Sequence, residues 1–223
     1  MQTMEPGPLL RYLLFGKIRR DYILPTTGRP CLDTLGGNVS YAAAGLGVWE
    51  NGAGLVARIG EDFPQEWLEA LTKRGFDLRG VRILPRAIDL RSFVAYPDPD
   101  HPEIDNPVSH FSRLGLPFPK GLLGYTPPGP QLDNRTTPTP LTIQLGDFPS
   151  DYLDATAAHI CPLDFVSHSL LPPTLRHGHI STLTLDPSPG YMNPTFWNEI
   201  PALVSGLTAF LTSAEKLASL FQG

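Results

Sequence analysis

The sequence predicts an α/β fold, a mostly parallel sheet doubly wound with helices on both faces, and three observations carry that expectation. First, Leu35 to Asp62, LGGNVSYAAAGLGVWENGAGLVARIGED, runs as a glycine pair, a helix of small residues, a turn, a short apolar strand and a polar loop. Second, short apolar runs alternate with helix-period segments on both sides of a proline-rich middle. Third, a chain of 223 residues, 41% hydrophobic and 17% charged, can bury the core of one such domain.

Composition narrows the function classes. A formal net charge of −5 argues against a nucleic-acid or anionic-membrane partner. The two cysteines, Cys31 and Cys161, make no disulfide framework, so a reducing, cytoplasmic setting is expected. No apolar run reaches membrane-spanning length. The opening MQTMEPGPLLRYLLFGKIRRD puts its basic residues after the apolar patch, the reverse of a signal peptide.

Taken in order, Arg11 to Phe15 reads as the first buried strand, ending at Gly16, with Asp21 just beyond. In a doubly wound fold that puts a carboxylate in the ligand crevice, where it can accept hydrogen bonds from two sugar hydroxyls. On position alone it is as readily a solvated loop residue. Thr26 to Leu35 is short and turn-rich. At Gly36 and Gly37 backbone can approach a ligand closely. Val39 to Trp49 is a thin alanine-rich helix, Asn51-Gly52 a turn, and Leu55-Val56-Ala57 with Ile59 a strand buried on both faces. Phe63 to Arg74 is an amphipathic helix with Phe63, Trp67, Leu68 and Leu71 on one face, Pro64 in its first turn and Gly75 at its end.

Leu90 to Tyr96 alternates like a half-exposed strand, and Val108 to Phe111 is expected to pair with it as a β flap. Arg91 reads as a ligand contact or a solvated strand residue. Residues 115–140 are dense in Pro and Gly and predict a long loop around a short ordered island, Leu122 to Tyr125. Beyond it the α/β rhythm resumes. Leu141 to Leu145 is expected as a strand, Ser150 to Ala155 a short helix, Ala158 to Cys161 a strand leading to Asp164, and Leu170 to Arg176 a helix. Ile180 to Leu185 is a strand closed by Asp186, Asn193 to Val204 a helix, and Leu207 to Leu211 a strand. No P-loop, Rossmann fingerprint or nucleophile elbow occurs. His159, His168, His177 and His179 lie near Cys161 in sequence without a metal-ligand pattern, so no metal site is assigned.

The glycine pair with its small-residue helix, "LVARIGED" and "LTKRGFDLRGV" resemble the amino-terminal signature of the PfkB (ribokinase-like) carbohydrate kinases, and the likeness runs with gaps from about Tyr12 to the end. The resemblance implies a three-layer α/β/α sheet with a small β lid, supplied by segments of about 26–36 and 90–112. It implies ATP and Mg²⁺ as cofactor and a sugar or nucleoside hydroxyl as acceptor. It also implies substrate-binding roles for Asp21 (in a GxxxxD setting from Gly16), Gly36, Gly37, Asn38, Tyr41 and Asp164. The family's GGxxxN pattern is altered, with Asn38 directly after Gly37 and Tyr41 in the Asn place. Tyr41 reads equally as core packing or as a contact.

On the nucleotide and Mg²⁺ side the resemblance points to Asp186 and Glu215. The family's Asn-x-x-Glu is replaced by Ser213 and Lys216, with Glu215 one place off, and Lys offers no oxygen to a metal. No run like DTxGAGD follows, so no catalytic base is assigned. Asp33-Thr34-Leu35-Gly36-Gly37 is nearest in letters but precedes the wrong elements. The implied whole is one ribokinase-like domain over 1–223, truncated at its C-terminus, carrying the substrate-binding part of a kinase. The alternative is a non-catalytic small-molecule binder, or a module that dimerises through the edge of its β lid.

Overall fold

Alternate residues of the first strand separate two cores. Leu13 and Phe15 enter one apolar cluster and Leu14 enters another on the opposite face. That is the period-2 signature of a strand covered on both sides. The computed structural model describes residues 10–50, 52–127, 129 and 132–221. The elements are β1 (Tyr12–Phe15), β2 (Arg19–Leu24), β3 (Cys31–Gly36), α1 (Asn38–Leu46), β4 (Ala53–Gly60), α2 (Gln65–Lys73), β5 (Asp77–Leu84), β6 (Arg91–Ala95) and α3 (Pro107–Arg113). They continue as β7 (Ala157–Ile160), α4 (Phe165–Leu175), β8 (Thr182–Leu185), α5 (Ile200–Val204), β9 (Ala209–Phe210) and α6 (Ala214–Phe221).

The main sheet has six strands in the order β5-β4-β1-β7-β8-β9, every pair parallel. On one face α1 and α2 supply Val39, Ala43 and Leu71 against Leu55, Ala57 and Ile59. On the other, α4, α5 and α6 supply Leu171, Leu175, Leu203 and Leu220 against Phe15, Val56, Ile160 and Leu185. The result is the expected three-layer α/β/α architecture. A separate three-stranded sheet, β3-β2-β6, has its own cluster of Tyr22, Leu24, Phe93, Ala95, Phe111 and Leu122. Order along the sheet reverses beside β1, which lies between β4 and β7. That is where an open α/β sheet leaves a crevice at its strands' carboxyl ends.

The structure corrects several expected elements. The small sheet is centred on Arg19 to Leu24, which carries Asp21 and was not foreseen as a strand. Three charged residues hide its alternation. Val108 to Phe111 is part of helix α3, because Asn106 accepts a cap bond from Ser109 N–H at 3.4 Å and Pro107 opens the first turn. Within the expected lid segment of 90–112, Glu103 forms a single bridge to β6, at Ala95. Leu141 to Leu145 forms no strand. The Ile143 N–H donates to Ser167 Oγ and the Gln144 N–H to Asp147 Oδ2, so this backbone is satisfied by side chains, and Leu145–Asp147 winds into a 3-10 turn. Asp77 to Leu84 is a strand that apolar content alone did not reveal.

Asn193 to Val204 splits into a 3-10 turn, Pro194–Phe196, and α5. Helix α4 starts at Phe165, ahead of the expected Leu170. Within 115–140 the ordered island is real: Lys120–Leu122 is a 3-10 turn, Leu122 is buried and the Tyr125 hydroxyl accepts from Phe93 N–H at 3.3 Å. Pro128, Pro130, Asn51 of the predicted turn and the first nine residues lie outside the described residues. Among the described residues no helix is long and apolar enough to cross a membrane.

Candidate functional site

Strand β3 ends at Gly36 and α1 begins at Asn38, so Gly37 is the hinge between them, at φ 91°. A side chain at Gly37 would meet Lys17 carbonyl oxygen at 2.2 Å, and one at Gly36 would meet Asp21 Oδ2 at 1.9 Å. Both glycines are therefore required by the chain's own close packing. The space Gly36 leaves is filled by the Asp21 carboxylate. Asp21 is 6% exposed, and its Oδ2 accepts from the Gly37 N–H at 3.3 Å and the Tyr41 hydroxyl at 2.6 Å. The first N–H groups of α1 have no partners inside the helix, and their positive end favours a carboxylate there. Asp21 Oδ1 is buried and has no hydrogen-bond partner among the described residues.

Tyr41 spans the two sequence-level alternatives. Its ring is exposed, yet its hydroxyl is tied to Asp21. Burial first, and then that bond to an anion, push the phenol above its ordinary range, so Tyr41 stays a donor. Asn38 bridges two loops with its side-chain amide. Its Oδ1 accepts from Lys17 N–H at 2.7 Å and its Nδ2 donates to Pro162 carbonyl oxygen at 2.7 Å. Both ends of the amide are engaged in bracing the turn after β1 against the loop after β7. Asn38 therefore shapes the crevice wall, with one amide N–H and one oxygen lone pair beyond these two bonds.

The crevice so formed, about 750 Å³, lies between the small sheet and the carboxyl ends of the main strands. Asp21, Gly37, Asn38 and Tyr41 line it together with Lys17, Arg19, Ser92 and Asp133. These last four were missed by sequence reasoning. Lys17 and Arg19 sit in the same Gly16-to-Asp21 stretch, and their position beside Asp21 was the available signal. Asp133 lies in the proline-rich loop, where no pattern marks it. It accepts from Phe165 N–H at 3.0 Å, and burial raises its carboxyl above the usual range.

Three expected site residues are not among those that line this crevice. Asp164 caps α4: it accepts from Ser167 N–H at 3.1 Å, Ser167 Oγ at 2.8 Å and Thr142 Oγ1 at 3.1 Å. Such a cap orders a helix start and leaves little carboxylate for a sugar. Asp186 follows β8 and is joined by Lys216 Nζ of α6 at 2.6 Å. Glu215 is exposed in the first turn of α6. The fit to Mg²⁺ is therefore poor. The acid at this end of the sheet already has an ammonium partner, and no group of three His, Cys, Asp or Glu side chains converges among the described residues.

No family model matches the chain, and no curated protein sequence matches it. Solved structures do. A PfkB protein from Polaromonas sp. JS666 superposes with a TM-score of 0.58 at 15% identity, over 95% of this chain and 68% of its own. A Burkholderia thailandensis nucleoside kinase in complex with inosine gives 0.58 at 15%, over 94% and 62%. An E. coli protein described as a ribokinase II, in complex with ATP and Mg²⁺, gives 0.53 at 14%, over 96% and 66%.

The fold is ribokinase-like. At these identities the likeness fixes architecture only. The chain spans 62–68% of the length of these three neighbours.

Proposed function

We propose that these residues are the acceptor-binding part of a PfkB-type carbohydrate or nucleoside kinase, and that they hold a polyol through its hydroxyl groups at Asp21. The observation that carries the reading is Asp21 Oδ1, a buried carboxylate oxygen with no donor beside a crevice of ligand size. An unpaired buried acceptor costs on the order of 1–3 kcal/mol, and a ligand O–H directed at it recovers that cost. Tyr41 and the Gly37 N–H hold the other oxygen, so the carboxylate is oriented before any ligand arrives. The ribokinase-like fold and its kinase neighbours, one of them bound to inosine, support a sugar or nucleoside as the class of acceptor.

Phosphoryl transfer depends on positioning and on stabilising charge at the transferred group. The residues described here supply the first. For the second, Lys216 neutralises Asp186, Glu215 is exposed, and the sequence contains no DTxGAGD-like run. That ion pair favours a second reading, a small-molecule binder without catalysis on the same scaffold. The 223 residues alone are expected to bind a polyol and to transfer phosphate from ATP and Mg²⁺ poorly or not at all. A phosphotransfer assay over a sugar and nucleoside panel tests this, with binding followed in parallel. Turnover abolished by Asp21→Ala would overturn the expectation of inactivity. Absence of binding by any member of the panel would overturn the acceptor site itself.

A further inference from the structure

Lys17 and Arg19 differ from Arg20 and Arg91, the other arginines on the strands of the small sheet. Arg20 is paired with Asp33 at 2.7 Å and Arg91 with Asp89 at 2.7 Å. Lys17 and Arg19 make no ion pair among the described residues, and neither side chain's charged group donates a hydrogen bond to protein there. Both line the crevice that holds Asp21, and both are only partly exposed.

The carboxylates in the same crevice do not pair with them. Asp21 is held by Tyr41 and Gly37, Asp133 receives the Phe165 N–H, and Asp105 is exposed at the rim. Burial, and then the like charge of Arg19, depress the Lys17 ammonium from its ordinary value, and the carboxylates of Asp164 and Asp133 offset this only in part. The fold thus holds two cations near each other against their repulsion. A partly desolvated cation with no partner is costly, and an oxyanion from the ligand would relieve it.

We infer that the acceptor carries an oxyanion as well as hydroxyl groups, a sugar phosphate or a sugar acid, with Lys17 and Arg19 binding the anion while Asp21 takes a hydroxyl. The inference rests on the polyol reading of this crevice and narrows its substrate class. Arg19 supplies a planar fork of donors that suits carboxylate or phosphate, and Lys17 a compact charge beside it. Arg20, next in sequence, is on the opposite side of β2 and is tied to β3 through Asp33, so its charge is not available to the crevice.

Matched ligand pairs test it by calorimetry on the whole chain: fructose against fructose 6-phosphate, and glucose against gluconate, with inorganic phosphate as a third probe. The charged member of at least one pair is expected to bind tenfold or more tighter than its neutral partner. The pair that shows the preference identifies the anion as phosphate ester or carboxylate. Lys17→Met and Arg19→Met should each remove most of that preference, lowering the charged partner's affinity tenfold or more beyond any change in the neutral partner's. Arg29→Met, the same charge change at an exposed turn residue, should leave it intact.

Equal affinity for charged and neutral partners, or a preference that survives both crevice variants, overturns the inference and leaves the polyol site standing. A preference equally lost in Arg29→Met overturns it too, since general charge would then be the cause. Tight binding of inorganic phosphate with no gain from attached hydroxyls also overturns it. Binding of neither member of any pair, by protein whose circular dichroism shows it folded, removes the polyol reading along with it.

Discussion

Tyr41 donates its hydroxyl to Asp21 Oδ2 at 2.6 Å, across the junction between the small sheet and the first helix of the main domain. The bond fixes a buried carboxylate while leaving its second oxygen unpartnered. Tyr41→Phe removes a charge-assisted hydrogen bond and frees the carboxylate to rotate. The expected result is a loss of about 1–2 kcal/mol in polyol affinity, roughly five- to thirtyfold, with the fold retained. Calorimetry on wild type and variant measures it. Unchanged affinity would show that the orientation of Asp21 does not matter for binding.

The Asp21 carboxylate and Gly36 occupy one another's space. A methyl group at Gly36 would lie 1.9 Å from Asp21 Oδ2 and 2.1 Å from Asp21 Cγ. Gly36→Ala should destabilise the protein by about 1–3 kcal/mol, and a chain of this size loses about 2–4 °C in Tm for each kcal/mol. In an Asp21→Ala background the same substitution should cost less, because the two nearest atoms it strikes are gone and only the contact with Cβ of residue 21, at 2.8 Å, remains. Thermal melts of the four proteins close this cycle. Additive effects would mean that the clash is relieved by backbone movement elsewhere.

Asn38 links two loops with one amide. Asn38→Ala leaves the Lys17 N–H and the Pro162 carbonyl without their partners, at about 1–3 kcal/mol for each group that stays buried. Asn38→Asp keeps the acceptor for Lys17 and loses the donor to Pro162, so its cost should be intermediate. Urea unfolding ranks the three proteins. Equal stability of both variants would mean that water replaces each bond freely.

Acid should weaken the fold through His168. The ring is fully buried, with Nδ1 beside the Tyr191 hydroxyl at 2.5 Å and Nε2 beside the Cys161 carbonyl at 3.0 Å. Burial lowers its pKa from 6.5 to about 4. Between those values the unfolded chain binds a proton that the folded chain excludes. Stability is therefore full above pH 6.5 and falls as pH drops through this window, by about 1.4 kcal/mol per pH unit at most. His159, lowered by burial as well, adds in the same direction. Unfolding free energies between pH 7 and 5 should show this decline, and His168→Gln should flatten most of it. An unchanged slope in the variant would place the proton uptake elsewhere.

Sequence reading reached the architecture where period and apolar content agree, as in β1, β4, α1, α2 and β7. It failed where side chains satisfy the backbone. Ser167 and Asp147 take the N–H groups that would have made 141–145 a strand, and Asn106 turns an expected strand into α3. It also failed at β2, whose buried face carries Tyr22 and Leu24 behind a run of charges. The site was partly legible, because Asp21, Gly37 and Tyr41 sit in one stretch of recognisable pattern. Asp164 shows the ambiguity of such a position, because a carboxylate near a strand's end is as suited to capping a helix as to binding a ligand. Asp133 had no local mark at all, since it comes from the loop and meets the crevice only through the tertiary fold.

The most direct test of the central claim is calorimetric titration of the folded chain with sugars, nucleosides and their charged derivatives, for wild type and Asp21→Asn side by side. Asp21→Asn keeps the shape and removes the anionic acceptor. The account predicts saturable binding of at least one polyol by wild type and a tenfold or greater loss of affinity in the variant. Binding of equal strength in both proteins, or no binding by either, would contradict it.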